Sequence, residues 1–349
     1  MSHQSAGRLR SAGQRPSDNR RMPRGRFSRK SLLLLLAVPL LATAQPVARA
    51  RIGYLSPSSP AAAASFVDGF RQGLREHGYV EGANTAIEYR FAHGDFERLP
   101  GMAAELVQLR VDVLVAMVTQ ASLAAKSATS TIPVVMVGVS DPLGAKLVGA
   151  LSRPGGNVTG NSALTAATAG KSLELLREVA PNVRRVAALW NPANEVFQAQ
   201  LVRETQAAAR SLNLELILFE LSTPEAIPGV FEAMARQRVG ALNVLADPMI
   251  NAHAAEITRR AAAARLPSIG WQASFADAGG LIAYGSNLRE LHRDAAAYVA
   301  RILAGAKPGE LPVEQPRTFD LVVNMKTARQ LGIAIPAPFL LRATRVIEP

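Results

Sequence analysis

From Arg51 onward this 349-residue chain alternates short apolar runs with longer amphipathic stretches, and that alternation restricts its fold more than any other feature. Strands are predicted at residues 51–56, 85–91, 111–118, 132–137, 183–190, 214–220, 241–246, 267–270 and 281–284. Helices are predicted at residues 61–77, 96–109, 120–129, 168–180, 193–212, 224–238, 253–265 and 288–303. Several strand candidates are continuous apolar runs (VDVLVAMV, IPVVMVGV, RVAALW), the pattern of strands covered on both faces of a parallel sheet. Strand–helix–strand repetition of this kind builds right-handed βαβ units. The turn-rich segment SRPGGNVTGNSALT, residues 152–165 with a short strand at 158–159, breaks the series, and Tyr284-Gly285-Ser286 is a second break. The stretches so divided each suit one α/β lobe, with a crevice between lobes facing the carboxyl ends of both sheets.

The first fifty residues stand apart. They hold ten of the 39 basic residues and one acid, Asp18, so that removing them lowers the net charge from +12 to +3. Arginines crowd in front of the apolar run 32–41, and Ala42-Thr43-Ala44 follows it. This is the layout of a secretory signal peptide, and the run is half the roughly twenty residues a spanning helix needs. Cleavage after Ala44 is expected, with Ala50 as the second choice, and translation from Met22 gives a leader of ordinary length. The basic excess therefore says nothing for nucleic acid, and no nucleic-acid partner is expected. With no cysteine in the chain, disulfides, thiolate catalysis, cysteine-ligated metals and a lipid-modified cysteine are all excluded. The mature protein is expected in the periplasm, not as a lipoprotein, and as a monomer.

Loops at strand ends carry the candidate site. Ser56 opens the run SPSSP before a helix; Thr119 and Gln120 begin another helix directly after an apolar strand; Ser140 and Asp141 follow the next strand. In the second half Asn191 and Asp247 each end a strand before a proline. Hydroxyls and amides at helix starts suit a ligand carboxylate, whereas a carboxylate at the cleft mouth suits an ammonium. Helix capping explains the same residues, since Asp or Asn before proline is also good helix-start chemistry. Tyr284 and Trp190 are candidate aromatic walls, with core packing as the competing role.

The catalytic inventory is thin. The histidines (His3, His77, His93, His253, His292) are scattered, and neither a H-E-x-x-H, a G-x-S-x-G, a P-loop nor a G-x-G-x-x-G pattern occurs. No cofactor or metal is expected and no enzymatic activity; a secreted hydrolase on the same fold is the remote alternative.

Residues 133–160 (PVVMVGVSDPLGAKLVGALSRPGGNVTG) and 278–336, together with RIGYLSPSSP and VLADP, resemble the ABC-transporter substrate-binding proteins over essentially residues 51–349. The resemblance implies the type I periplasmic-binding fold: two Rossmann-like lobes with parallel sheets joined by a multi-crossover hinge. It implies lobes of residues 51–158 plus 286–315 and 159–285 plus 316–349. It also implies a small ligand such as an amino acid in the interlobe cleft, around Ser56, Thr119, Gln120, Ser140, Asp141, Asn191, Asp247 and Tyr284, and an ABC permease as partner. Several relatives are associated with tryptophan or tyrosine. Where many relatives carry small residues such as Gly-Thr-Pro, this chain has Val118-Thr119-Gln120. A periplasmic sensor for a signalling receptor would use the same binding physics.

Overall fold

A computed structural model describes residues 49–348; the basic leader, its apolar run, Met22 and the Ala44 cleavage site lie outside the described residues. The chain begins with β1 (Ala50–Ser56), α1 (Pro60–Glu76), β2 (Thr85–Phe91), α2 (Leu99–Gln108), β3 (Val113–Met117), α3 (Val118–Ala128), β4 (Val134–Val139) and β5 (Val158–Ser162). It then runs through α4 (Thr165–Val179), β6 (Arg185–Trp190), α5 (Glu195–Ser211), β7 (Glu215–Glu220), α6 (Ile227–Arg236), β8 (Ala241–Val244), α7 (Pro248–Ala252), α8 (Ala254–Ala263), β9 (Ser268–Gly270), α9 (Ala273–Asp277) and β10 (Ile282–Ser286). Last come α10 (Leu288–Leu303), β11 (Phe319–Asn324), α11 (Met325–Leu331), α12 (Ala337–Leu340) and β12 (Arg345–Ile347).

Two sheets form, in the orders β2-β1-β3-β4-β5 and β12-β11-β10-β9-β8-β6-β7. In the first sheet every pairing is parallel. Successive side chains of its strands point to opposite faces, so one face gathers Ile52, Tyr54, Val113, Val115, Val135 and Val137 beneath α1 and α10. The other face gathers Leu55, Leu114, Ala116, Val134 and Met136 beneath α2 and α3. Covering on both faces is the reason these strands read as unbroken apolar runs. The second sheet is sandwiched likewise, with Ala187, Leu189, Leu242 and Val244 on one side and Val186, Ala241, Ile269 and Ile282 on the other.

Helices α7, α9, α11 and α12 add to the expected set, and three further differences concern the sheets. Strand β5 extends to Ser162 and pairs with β4, so the first sheet keeps four residues beyond the expected boundary at 158. Strands β11 and β12 were not foreseen. The second sheet is also not wholly parallel, because β11 runs antiparallel to β10. The reason is topological: the chain re-enters this lobe from the hinge, so Phe319 starts opposite Ser286, where β10 ends.

Three crossings therefore join the lobes, near residues 163–164, 286–287 and 314–318, and they are bonded to one another. Ser162 N–H donates to the Glu314 carbonyl (2.9 Å) and Glu314 N–H to that of Gly160 (3.1 Å). The Ser286 hydroxyl donates to the Ala163 carbonyl, and Asn287 N–H to that of Thr318 (3.3 Å).

Helix α10 returns to the first lobe and lies against α1. Ser59 caps α1 by accepting from the Ala62 amide (3.3 Å), Pro60 presets its first turn, and Ala63, Val67, Phe70 and Leu74 form its buried stripe. Glycines let the two helices touch. A Cβ on Gly73 would sit inside contact distance of the Arg293 carbonyl and 2.8 Å from Ala296 Cβ. Gly73→Ala is expected to lower unfolding stability by about 1–3 kcal/mol through overpacking, read by urea denaturation, although alanine is the better helix former.

Next to this crossing His292 is wholly buried, stacked on Phe66 at 5.1 Å between ring centroids, with Nδ1–H donating to the Leu288 carbonyl (2.7 Å). Burial pushes its pKa down to about 4, against an ordinary 6.5, so the folded state holds the ring neutral. Between those values the unfolded chain binds the extra proton. The stabilisation is thus complete above pH 6.5 and is lost as pH falls towards 4, by about 3 kcal/mol. Denaturation series at pH 7 and pH 4 are expected to show His292→Phe losing less stability than the wild type across that interval.

Candidate ligand-binding cleft

Helices cover the sheet faces, which leaves the loops at the carboxyl ends of the strands to meet between the lobes. Two cavities there have walls from both lobes. The first, of about 120 Å³, lies between Thr119, Ser140, Asp141, Gly144 and Ala145 of the first lobe and Phe197, Gln200 and Arg203 of α5. The second, of about 40 Å³, is bounded by Ser58, Phe66, Met117 and Val118 on one side and by Pro248, Asn251, Trp271 and Gln272 on the other. A larger groove of about 470 Å³ shares Ala62, Phe66 and Gln272 with the second cavity and runs out beside the crossing at Ser286 and Asn287. Its basic residues have partners in their own lobes: Arg345 pairs with Asp277 (2.8 Å) and Arg289 donates to Gln72 Oε1 (2.8 Å), while Asp320, whose carboxyl is pushed up by burial, accepts from Asn287 Nδ2 (3.2 Å).

The 120 Å³ cavity is different. Asp141 Oδ1 accepts from the Gly144 amide (2.9 Å), and among the described residues no ion pair involves either Asp141 or Arg203. An acid from one lobe and a base from the other thus share a wall with hydroxyls. Thr119 Oγ1 is buried and has no hydrogen-bond partner. Gln198 Oε1 and the indole N–H groups of Trp190 and Trp271 are buried without partners as well. A polar atom in that state costs about 1–3 kcal/mol until something supplies its hydrogen bond.

Helix α3 opens onto both cavities. Its N-cap is Met117, whose side chain makes no capping hydrogen bond. Its first residue, Val118, has φ +56°, a left-handed conformation that a β-branched side chain rarely adopts. Strain of about 1–3 kcal/mol is held here by the surrounding packing, including Ser122 Oγ, which donates to the Val118 carbonyl (2.7 Å).

Of the residues singled out from sequence, Thr119, Ser140 and Asp141 come together on one cavity, and Gln120 adjoins them in the first turn of α3. Ser56 is fully buried and builds its loop, accepting from the Ser58 amide (3.2 Å). Asn191 and Asp247 meet below the cleft, Asn191 Nδ2 donating to Asp247 Oδ1 (3.3 Å). That same oxygen accepts from the Met249 and Ile250 amides (2.9 and 3.1 Å), so the wholly buried Asp247 caps α7. Tyr284 lies away from these cavities; it stacks on Phe319 at 6.1 Å within the second lobe's packing. Trp190, by contrast, clusters with Phe197 and Trp271 at the cleft end of that lobe. Phe197, Gln200 and Arg203 escaped the sequence reading. Their spacing of three along α5 is the available signal, yet periodicity alone cannot distinguish a cleft-facing stripe from a solvated one.

Among the described residues no cluster of His, Asp or Glu is placed to hold a metal, and no helix is long and apolar enough to cross a membrane. Comparison with known proteins gives a consistent picture. The chain is 27% identical over 265 residues to the tyrosine-binding protein of Clostridioides difficile, covering 76% of each. It superposes with a TM-score of 0.79 on a crystal structure of an ABC domain from Streptococcus pneumonia in complex with L-Trp, at 30% identity, covering 86% of this chain and 100% of that one. A conserved domain protein from Vibrio cholerae gives 0.80 at 31% identity, with 85% and 99% covered. Residues 53–347 match the family described as ABC transporter substrate binding protein. With two α/β lobes, a three-crossing hinge and that match across nearly all the described residues, the chain belongs to the ABC transporter substrate-binding protein family.

Proposed function

We propose that this protein is a periplasmic receptor that captures an aromatic α-amino acid in the interlobe cleft, with its α-ammonium and α-carboxylate at the 120 Å³ cavity, and presents it to an ABC permease. The observation that carries the reading is the opposed pair on that cavity, Asp141 from the first lobe and Arg203 from the second, beside the unpartnered Thr119 hydroxyl. A zwitterion matches this arrangement. Its ammonium would pair with Asp141, and its carboxylate with Arg203, Thr119 and the uncapped start of α3. Phe197 on the cavity wall, which clusters with Trp190 and Trp271, offers the side chain an aromatic face. The tyrosine-binding relative and the L-Trp complex support the same ligand class.

Because the two charges sit on different lobes, a ligand that satisfies both stabilises the closed arrangement over the open one, and closure is what a permease would read. The lining of the cavity holds hydroxyls and one carboxylate but no histidine or lysine to activate them, which favours binding over turnover. Family members are binding proteins placed outside the cytoplasm, and a leader of the kind expected from the sequence agrees with that compartment. Cleavage after Ala44 leaves β1 whole, whereas cleavage after Ala50 removes the residue that pairs with Thr85 and donates to the Asn84 carbonyl (3.1 Å). A monomer suffices, since both walls of the site come from one chain.

Calorimetry of ligand-stripped protein with L-tyrosine, L-tryptophan and L-phenylalanine, with L-leucine and L-glutamate as controls, tests the reading. At least one aromatic amino acid should bind, and Asp141→Asn and Arg203→Gln should each weaken it by about tenfold or more while Tm stays unchanged. Absence of heat with all three aromatic amino acids would count against it.

A further inference from the structure

Strand β4 does not run straight into the ligand loop. Its register with β5 shifts between Met136 and Val139, and Gly138 takes φ +66° at that bulge, just before Ser140 and Asp141. A bulge releases a backbone N–H from the sheet ladder. Here the Gly138 amide is taken up by a side chain, Asn161 Oδ1, at 2.9 Å. The other end of the same carboxamide is also committed: Asn161 Nδ2 donates to the Leu291 carbonyl in the first turn of α10 (2.7 Å). Asn161 is 1% exposed, lies on β5 just before the first crossing, and pairs through its backbone with Glu314 at the third. Leu291 follows the second crossing, at Ser286 and Asn287, by one helical turn. Asn161 therefore ties Gly138, two residues before the ligand loop, to the first turn of α10 through its side chain, and reaches the third crossing at Glu314 through its backbone.

We propose that Asn161 is a positioning residue that couples the hinge to the ligand loop, so that movement of the crossings is transmitted through its carboxamide to Gly138 and on to Ser140 and Asp141. The role of Asp141 in holding ligand rests on the reading above; the mechanical link does not. A carboxamide suits the task because it donates at one end and accepts at the other through a rigid plane, with neither end able to shift without the other. Residues that share a buried hydrogen-bond network behave as a unit, and a disturbance at one edge is felt at the opposite edge.

Hydrogen exchange by mass spectrometry on the full-length mature protein, without ligand, tests the link. The hinge is loosened by Ser286→Ala, which removes the hydroxyl bond to the Ala163 carbonyl and leaves the ligand loop untouched. In the wild-type background this substitution is expected to speed exchange of segment 138–145 by about threefold or more. In an Asn161→Ser background, already faster at that segment, it is expected to add nothing. Unchanged exchange at 138–145 in Ser286→Ala alone overturns the proposal, even if the Asn161 variant does not fold. Equal acceleration in both backgrounds overturns it too. A lower Tm for Asn161→Ser with no local change at 138–145 would reveal a merely structural role and would likewise overturn it. A parallel titration with L-tryptophan and L-tyrosine separates the two claims. If neither binds the wild type, the ligand reading fails while the exchange result still decides the coupling. If one binds, Asn161→Ser is expected to weaken it by about tenfold, and unchanged affinity would contradict the coupling.

Discussion

Burial of a parallel sheet on both faces is the constraint from which the rest of this structure follows. Strands such as β3 and β4 have no exposed residue, so helices must lie above and below them, and polar groups are left the loops at the strand ends. In a chain that crosses between two such sheets three times, those loops face one another. The cleft is thus where hydroxyls, a carboxylate and a guanidinium remain after every apolar face has been covered.

The hinge decides what that cleft can do. Its three crossings are bonded to each other, which makes them one device rather than three independent linkers. Asn161 extends this device into the first lobe, and α10, locked against α1 by the close approach at Gly69 and Gly73, gives it a firm anchor. On the opposite wall Arg203 rides on α5 in the second lobe, so an ion held between Asp141 and Arg203 senses the separation of the lobes directly.

Much of this was legible in the residues alone. Continuous apolar runs marked β3, β4 and β6, and the amphipathic stretch from Leu288 matches α10 to its ends. Thr119 stands out in sequence as a helix start after a buried strand, and Ser140-Asp141 as the polar residues that end another buried strand. Asp247 illustrates the limit: before a proline, a cleft carboxylate and a helix cap look alike in sequence, and only its burial and the two amides it accepts from show the cap. The antiparallel β11 was hidden because FDLVVN is short and its direction depends on where the hinge delivers it. Arg203 and Phe197 were hidden because a helix face reveals its period but not its neighbour across a cleft. Asn161 sat inside a segment that reads as a turn, and its two partners lie 23 and 130 residues away in the chain.

A crystal structure of the protein grown with L-tryptophan or L-tyrosine tests the central claim most directly. The α-ammonium is expected within hydrogen-bonding distance, about 2.7–3.2 Å, of the Asp141 carboxylate, with the α-carboxylate against Arg203 and Thr119. An amino acid seated instead in the groove beside Asp320 and Arg345, or touching neither Asp141 nor Arg203, would contradict it.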